Sequence, residues 1–382
     1  VERRKIAHLT SVHEPTDTRI LHKECRTLAQ AGYDVVLIAP HDRDEWLNGV
    51  RIRAIPQPKS RLGRMLQTTW QVYRTAVKEN ASVYHFHDPE LIGVGVMLKT
   101  LGKKVIYDVH EDLPRQILSK EWIPKWLRHG LAVVSEAVEG TAARIFDRIV
   151  TVTSTIAERF PAEKTVIVKN YPILGELTTI TACPHVERPL CVTYVAAGIT
   201  TVRGILEMVH AMGILQHSGI RLILAGHISP IELRDKVATY PGWQCVEEAG
   251  YLNREQVGSL LNNVRAGLVT HHPIVNYVDS LPVKMFEYMA AGIPVIASDF
   301  PLWREIVEGS DCGLCVDPLS PEQIAEAIQW IVEHPVEAHR MGENGQRAVA
   351  DRYNWDREAN KLLSVYEELS AVHEKTQVTQ VR

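Results

Sequence analysis

Nowhere does this chain approach eighteen uncharged apolar residues in a row, so no segment is expected to span a bilayer. The basic start, VERRKIAHLT, carries an apolar run too short for a secretory leader and passes straight into a strand-like segment. Cysteine is scarce, with six scattered residues, and a disulfide scaffold is excluded. Cys312 and Cys315 form one isolated CGLC in a turn-like context, too little for a metal or redox centre. No glycine-rich fingerprint follows the first strand, which argues against a nicotinamide or flavin. No group of ligand residues stands at metal spacing, so neither a metal nor a resident cofactor is expected. A formal net charge of -4 gives no reason to expect a nucleic-acid partner.

What is present describes an ordinary globular protein, 45% hydrophobic and 23% charged, and 382 residues exceed one comfortable core. The charge is uneven: residues 1–169 hold 26 Lys/Arg against 20 Asp/Glu, the remainder 16 against 26. The first half is therefore the one expected to face an anionic partner. Strand and helix patterns alternate from Lys5 to Lys169 and resume at Leu190, separated by an irregular stretch that opens on Asn170-Tyr171-Pro172. The expected organisation is an α/β domain over 1–172, a linker over 173–189, a second α/β domain over 190–355, and a terminal helix with a frayed tail over 356–382.

The chain is organised around Asp279 to Ser298, DSLPVKMFEYMAAGIPVIAS. Ser280 is the expected helix cap, Pro282 falls in the first turn, Lys284 to Ala291 are mostly good helix formers, and Gly292 ends the helix. Val295 to Ala297 then reads as a buried strand. Asp279 and Glu287, eight residues apart, can hold two parts of one elongated polyhydroxylated ligand. Gly198 to Gly204 is a loop in which glycine lets the backbone approach a phosphate, and Arg203 and Lys284 supply positive charge. Carboxylates do not grip phosphate but accept hydrogen bonds from hydroxyls, so Asp279 suits a sugar and Glu287 a ribose.

Two successive strands of the first half end in His85-Phe86-His87-Asp88 and in His110-Glu111-Asp112, at the sheet edge where open α/β folds bind ligands. Packed neutral rings are the bland reading, more so for His85 and His87 than for His110. Glu121 to Ser135 places Trp122, Ile123, Trp126, Leu127 and Leu131 among Lys120, Lys125, Arg128 and His129, a composition suited to anionic lipid or to a core-facing helix with a basic back.

Asp279-(seven residues)-Glu287, followed by Ala290-Ala291-Gly292-Ile293-Pro294-Val295 and a small-residue strand end, resembles the signature of the retaining, nucleotide-sugar-dependent glycosyltransferases of family 4. Weaker matches are the Gly198 to Gly204 loop, Gly226 after a strand, and Asp17-Thr18-Arg19 before the first long helix. Two positions depart from the pattern: Asp279 stands where Glu is usual, and Ile199 stands where arginine is frequent. The resemblance implies a GT-B architecture, two Rossmann-like domains facing across a cleft. It implies a UDP- or GDP-linked sugar donor contacted by Gly198, Arg203, Gly204, Gly226, His227, Ser280, Leu281, Pro282, Lys284 and Glu287. Catalysis would fall to His110, Arg203, Lys284 and Asp279, by metal-independent front-face transfer in which the departing phosphate takes the acceptor's proton. The implied acceptor is lipid-linked or a polysaccharide precursor. The implied setting is bacterial and cytoplasmic, peripheral on the inner face of the cell membrane. A nucleotide-sugar epimerase and a non-catalytic nucleotide-sugar-binding protein are the alternatives.

Overall fold

The computed structural model describes residues 4–58, 60, 63–120, 123–177 and 185–380. The chain divides into two units, residues 1–170 with 356–382, and residues 171–355.

The first unit is built on an eight-stranded sheet in the order β3-β4-β2-β1-β5-β6-β7-β8, with β1 Lys5–Leu9, β2 Asp34–Pro40, β3 Glu45–Leu47, β4 Val50–Ile55, β5 Val83–Phe86, β6 Lys104–Val109, β7 Arg148–Thr151 and β8 Thr165–Ile167. All neighbours are parallel except β3 and β4. That hairpin turns on Asn48 and Gly49, both at positive φ (52° and 80°), the Asn-Gly chemistry of a tight two-residue turn. The helix entered at Thr18–Cys25 is capped by Asp17, whose carboxylate accepts from the backbone N–H of Arg19 and Ile20.

The second unit carries six parallel strands in the order β11-β10-β9-β12-β13-β14: β9 Cys191–Ile199, β10 Arg221–Ile228, β11 Val246–Gly250, β12 Ala266–Val269, β13 Val295–Ser298 and β14 Gly313–Val316. Alternate residues of its strands enter different apolar clusters: Val192, Leu268 and Ile296 join one, Val269, Val295 and Ala297 the other. Both faces are covered, which is why these strands read as continuous apolar runs. β14 contains Cys315, so the CGLC stretch is strand and not turn, and burial pushes both thiols up to about 12. The stretch expected as a linker is packed where it is described. Leu177 joins the core, and His185 Nε2 lies 2.9 Å from the Arg265 carbonyl. Residues 178–184 lie outside the described residues.

In both sheets the strand order reverses direction beside the first strand of the unit, between β1 and β5 and between β9 and β12. Ligands of open α/β sheets bind beyond the carboxyl ends of the strands at such switch points.

Candidate donor site and the paired histidine cluster

At the β9/β12 switch point, the turn Thr201–Arg203 ends on Gly204 at φ 82° and leads into the helix Ile205–Ile214. A Cβ at Gly204 would lie 2.0 Å from the Thr270 carbonyl oxygen beyond β12, so only glycine lets these two strand ends close on each other. Gly204→Ala is expected to destabilise the protein by about 1–3 kcal/mol, read as a lower denaturant midpoint at unchanged m-value. Gly226, at φ 141°, is held as closely, since a Cβ there would meet the Ala196 carbonyl. It lies where the β9–β10 register shifts, and His227 pairs with Gly198 beyond it. Gly198 and Ile199 are therefore strand residues of β9, and the loop expected from Gly198 is shorter than its sequence suggests. Arg203 closes it, donating from Nη1 to the Gly198 carbonyl and from Nε to Tyr277 Oη at 3.5 Å.

The helix of the organising stretch runs Val283–Ala290 with Pro282 as N-cap. Ser280 is not the cap: its hydroxyl donates to the Tyr277 carbonyl at 2.9 Å, because proline at 282 fixes an extended backbone (ψ 122°) just before the helix. The helix ends as expected on Gly292 (φ 69°), with Gly292 N–H donating to Met289 and Ile293 N–H to Tyr288 at 3.1 Å each, a Schellman closure. Leu281 packs against the apolar cluster that holds Met285 and Phe286. Asp279 is half-buried at the end of the turn Val275–Val278.

Lys284 gives this region its character. Its Nζ is buried, has no hydrogen-bond partner, and stands 3.9 Å from the centroid of the Tyr194 ring. Burial, and then the Arg203 guanidinium, hold its pKa well below the usual lysine value, while Glu287 opposes them. Thr270 Oγ1 and His271 Nδ1 are also buried without partners. His271 Nε2 is 3.1 Å from Tyr194 Oη, and the imidazole is kept neutral by burial and by Lys284. Two cations and several orphaned polar atoms form a site short of negative charge, which a diphosphate would satisfy. A lysine with lowered pKa loses its charge as pH rises through that value. Nucleoside-diphosphate binding is thus expected to tighten as pH falls through that lowered value and to take up a proton at any pH above it. Calorimetry in buffers of different ionisation enthalpy reads the uptake, and Lys284→Met should abolish it.

Glu287, the expected ribose anchor, is only 8% exposed. Its Oε1 accepts from Arg254 Nη1 at 2.6 Å, and Arg254 Nη2 donates to Glu176 Oε2 at 2.6 Å. Arg254 is itself placed by a capping box between Asn253 and Gln256. The sequence reading missed Tyr194, Thr270, His271 and Arg254; the available signal was a strand ending in His271-His272-Pro273.

In the first unit, His110 follows β6 with its Nε2 2.8 Å from Asp108 Oδ2. The carboxylate accepts the hydrogen bond from Nε2–H, which leaves Nδ1 as the ring nitrogen open to another partner. Asp108 is fully buried and also receives Arg19 through Nε at 3.1 Å and Nη2 at 3.0 Å; these charges hold its pKa well below the carboxylate range. His85 and His87 are buried as the bland reading expected. The absence of a metal cluster does not hold, however: donor atoms of Glu24, His85, His87 and Asp108 lie within 4.8 Å of one another. They come from a helix and two strands, so no sequence spacing announces them.

The basic aromatic segment is partly revised. Glu121 and Trp122 lie outside the described residues. Ile123 is buried, and the helix begins after Pro124, running Lys125–Ile145. Trp126 is 81% exposed, and Leu127, Leu131, Val134 and Val138 form an exposed stripe at three- and four-residue spacing. Among the described residues, no helix is long and apolar enough to cross a membrane.

The sequence model for "Glycosyl transferases group 1" matches residues 184–348, and that for "Glycosyltransferase Family 4" matches residues 18–169. MMP alpha-(1->4)-mannosyltransferase of Mycolicibacterium hassiacum is 22% identical over 300 residues, covering 75% of this chain and 70% of that protein. Phosphatidyl-myo-inositol mannosyltransferase of Mycobacterium leprae is 31% identical over 100 residues, 26% of each chain. Sucrose-phosphate synthase of Thermosynechococcus elongatus superposes with a TM-score of 0.77 at 20% identity, over 97% of this chain and 100% of that one. Between them the two family models cover both α/β units, so the chain belongs to glycosyltransferase family 4, and the structural likeness shows the two-domain GT-B fold.

Proposed function

We propose that this glycosyltransferase moves a hexose from a UDP- or GDP-linked donor, with retention of anomeric configuration, to a hydroxyl of a lipid-linked or polysaccharide-precursor acceptor. The observation that carries the donor site is the buried, unpartnered Lys284 ammonium over Tyr194 and beside Arg203. On this reading Lys284 and Arg203 neutralise the leaving diphosphate without a divalent cation, and the charge develops where the cations already stand. Glu287 holds the ribose hydroxyls through Oε2, since Oε1 is engaged by Arg254. Asp279 takes a sugar hydroxyl, and the short side chain makes it the determinant of which sugar is accepted. The backbone around Gly198, Gly204, Gly226, His227, Ser280, Leu281 and Pro282 completes the donor contacts. His110, with its tautomer set by Asp108, serves the reacting sugar through Nδ1. The departing phosphate takes the acceptor proton, so no separate base is required. Mannose is the first sugar to test, because both mycobacterial relatives are named mannosyltransferases. A donor and acceptor screen with products resolved by mass spectrometry tests the assignment; donor epimerised without acceptor would indicate an epimerase instead.

The exposed stripe of Lys125–Ile145 and its basic flank support peripheral attachment to the inner face of the cell membrane, in keeping with a relative named for a phosphatidylinositol acceptor. Vesicles containing anionic phospholipid should bind the protein at low salt, and the double variant Trp126→Glu, Leu131→Glu should lose binding in flotation assays. Equal flotation of both proteins would contradict the membrane placement.

A further inference from the structure

His85, Glu24, His87 and Asp108 meet beneath the β1/β5 switch point, all but wholly buried. The hydrogen-bond chain through this cluster has one consistent direction. His85 Nδ1–H donates to Tyr366 Oη at 2.7 Å, and Tyr366 Oη–H donates to His8 Nε2 at 3.2 Å. His8 Nδ1–H donates to His87 Nε2 at 3.0 Å, and His87 Nδ1–H to Asp108 Oδ2 at 3.2 Å. Every ring is then neutral, and one lone pair is left over, on His85 Nε2.

That lone pair has no hydrogen-bond partner, and it faces two carboxylate oxygens, Glu24 Oε2 at 4.0 Å and Asp108 Oδ2 at 3.9 Å. Both oxygens of Glu24 likewise lack a hydrogen bond. The nearest cation to Glu24 is Arg19, 3.0 Å from Oε1, and that guanidinium already serves Asp108. Three electron-pair donors thus converge in a water-excluded place, with two carboxyl groups sharing one guanidinium. With both carboxyls ionised the cluster is one positive charge short, a severe cost for buried groups.

We propose that this cluster is a structural binding site for a divalent transition metal of the zinc class, held by His85 Nε2, Glu24 Oε2 and Asp108 Oδ2, with His87 as the fourth ligand. Donors about 4 Å apart are equidistant from a point about 2.3 Å away, close to the roughly 2.0–2.2 Å of zinc–nitrogen and zinc–oxygen bonds and well short of a water's hydrogen bonds. Imidazole with carboxylate is the ligand chemistry of zinc and its first-row neighbours. The Tyr366 contact supplies the outer support that ligating histidines ordinarily have, fixing the tautomer that leaves Nε2 available. For His87 to ligate through Nε2, metal binding must switch His8 to its other tautomer, so that His8 Nε2–H donates to Tyr366 Oη and that link of the chain is reversed. The site would tie the Thr18–Cys25 helix to β5 and β6. The competing occupant is a proton on Glu24, whose pKa is raised far above the carboxylate range by burial and by Asp108.

The test is metal analysis of the full-length, untagged protein from zinc-replete medium, after gel filtration without chelator. About one zinc per chain is expected, with a thermal midpoint that falls on removal by dipicolinate and recovers on adding Zn²⁺ alone. Co²⁺ loaded into the stripped protein should give the visible absorption of a low-coordinate N/O site. His85→Gln should hold less than about a tenth of the wild-type zinc while retaining the native circular dichroism spectrum. Protein that stays folded with substoichiometric zinc after incubation with Zn²⁺, and takes up Co²⁺ without visible bands, would overturn the metal and leave the proton on Glu24. So would unchanged zinc content in His85→Gln. The cobalt spectrum of the unmodified chain decides the matter even if the variant fails to fold.

Discussion

Lys284→Met is expected to lower turnover by about 10²- to 10³-fold, on the order of 3–4 kcal/mol of transition-state stabilisation, the magnitude lost when one pre-placed donor to a developing anion is removed. The same substitution should stabilise the ligand-free protein. Lys284 has a depressed folded-state pKa, so the unfolded chain binds its proton more tightly. That difference costs stability at all pH values below the lowered pKa and vanishes as pH rises through the ordinary lysine range. Methionine keeps the contact with Tyr194 without the unpaired charge. A higher thermal midpoint together with lost turnover is the signature of a residue kept for its chemistry. A lower midpoint with unchanged turnover would mean that Lys284 is a packing residue.

Trp303→Ala should destabilise the protein by about 3–5 kcal/mol, through the cavity left by a side chain that is 0% exposed. The indole closes over Phe300 and His271, with ring centroids at 4.7 and 5.5 Å, and its Nε1–H donates to the Ser280 carbonyl at 2.7 Å. That bond anchors the short segment between Asp279 and Lys284. Trp303→Phe keeps much of the packing and removes only the bond, for about 1–3 kcal/mol. It should raise the donor KM while leaving the fold cooperative in denaturant titration. A Phe variant indistinguishable from wild type in both would mean that the segment is held by other contacts.

Much of this architecture is legible in local sequence. Gly292 after a helix pattern, Asp17 before one, and apolar runs such as Val35 to Ala39 each carry their structural meaning within a few residues. The β3 hairpin was equally available from Asn48-Gly49 and was missed because its first strand is only three residues long. What local pattern does not encode is convergence. Tyr194, Thr270, His271 and Lys284 span ninety residues, and only the β9/β12 reversal brings them together. The same holds for Glu24, His85, His87 and Asp108: the two histidines stand out at a strand end, but nothing local ties them to Glu24 or Asp108. Ser280 illustrates the opposite error: a good capping residue was overruled by the proline two positions later.

The central claim, that the second unit binds and activates a nucleoside-diphosphate sugar through Lys284 and Glu287, is tested most directly by steady-state donor kinetics with the product identified by mass spectrometry, comparing wild type with Lys284→Met and Glu287→Gln. Wild type is expected to give glycosylated product and free nucleoside diphosphate, Lys284→Met a fall mainly in kcat, and Glu287→Gln a rise mainly in donor KM. Product formed at near wild-type kcat and KM by both variants would contradict it.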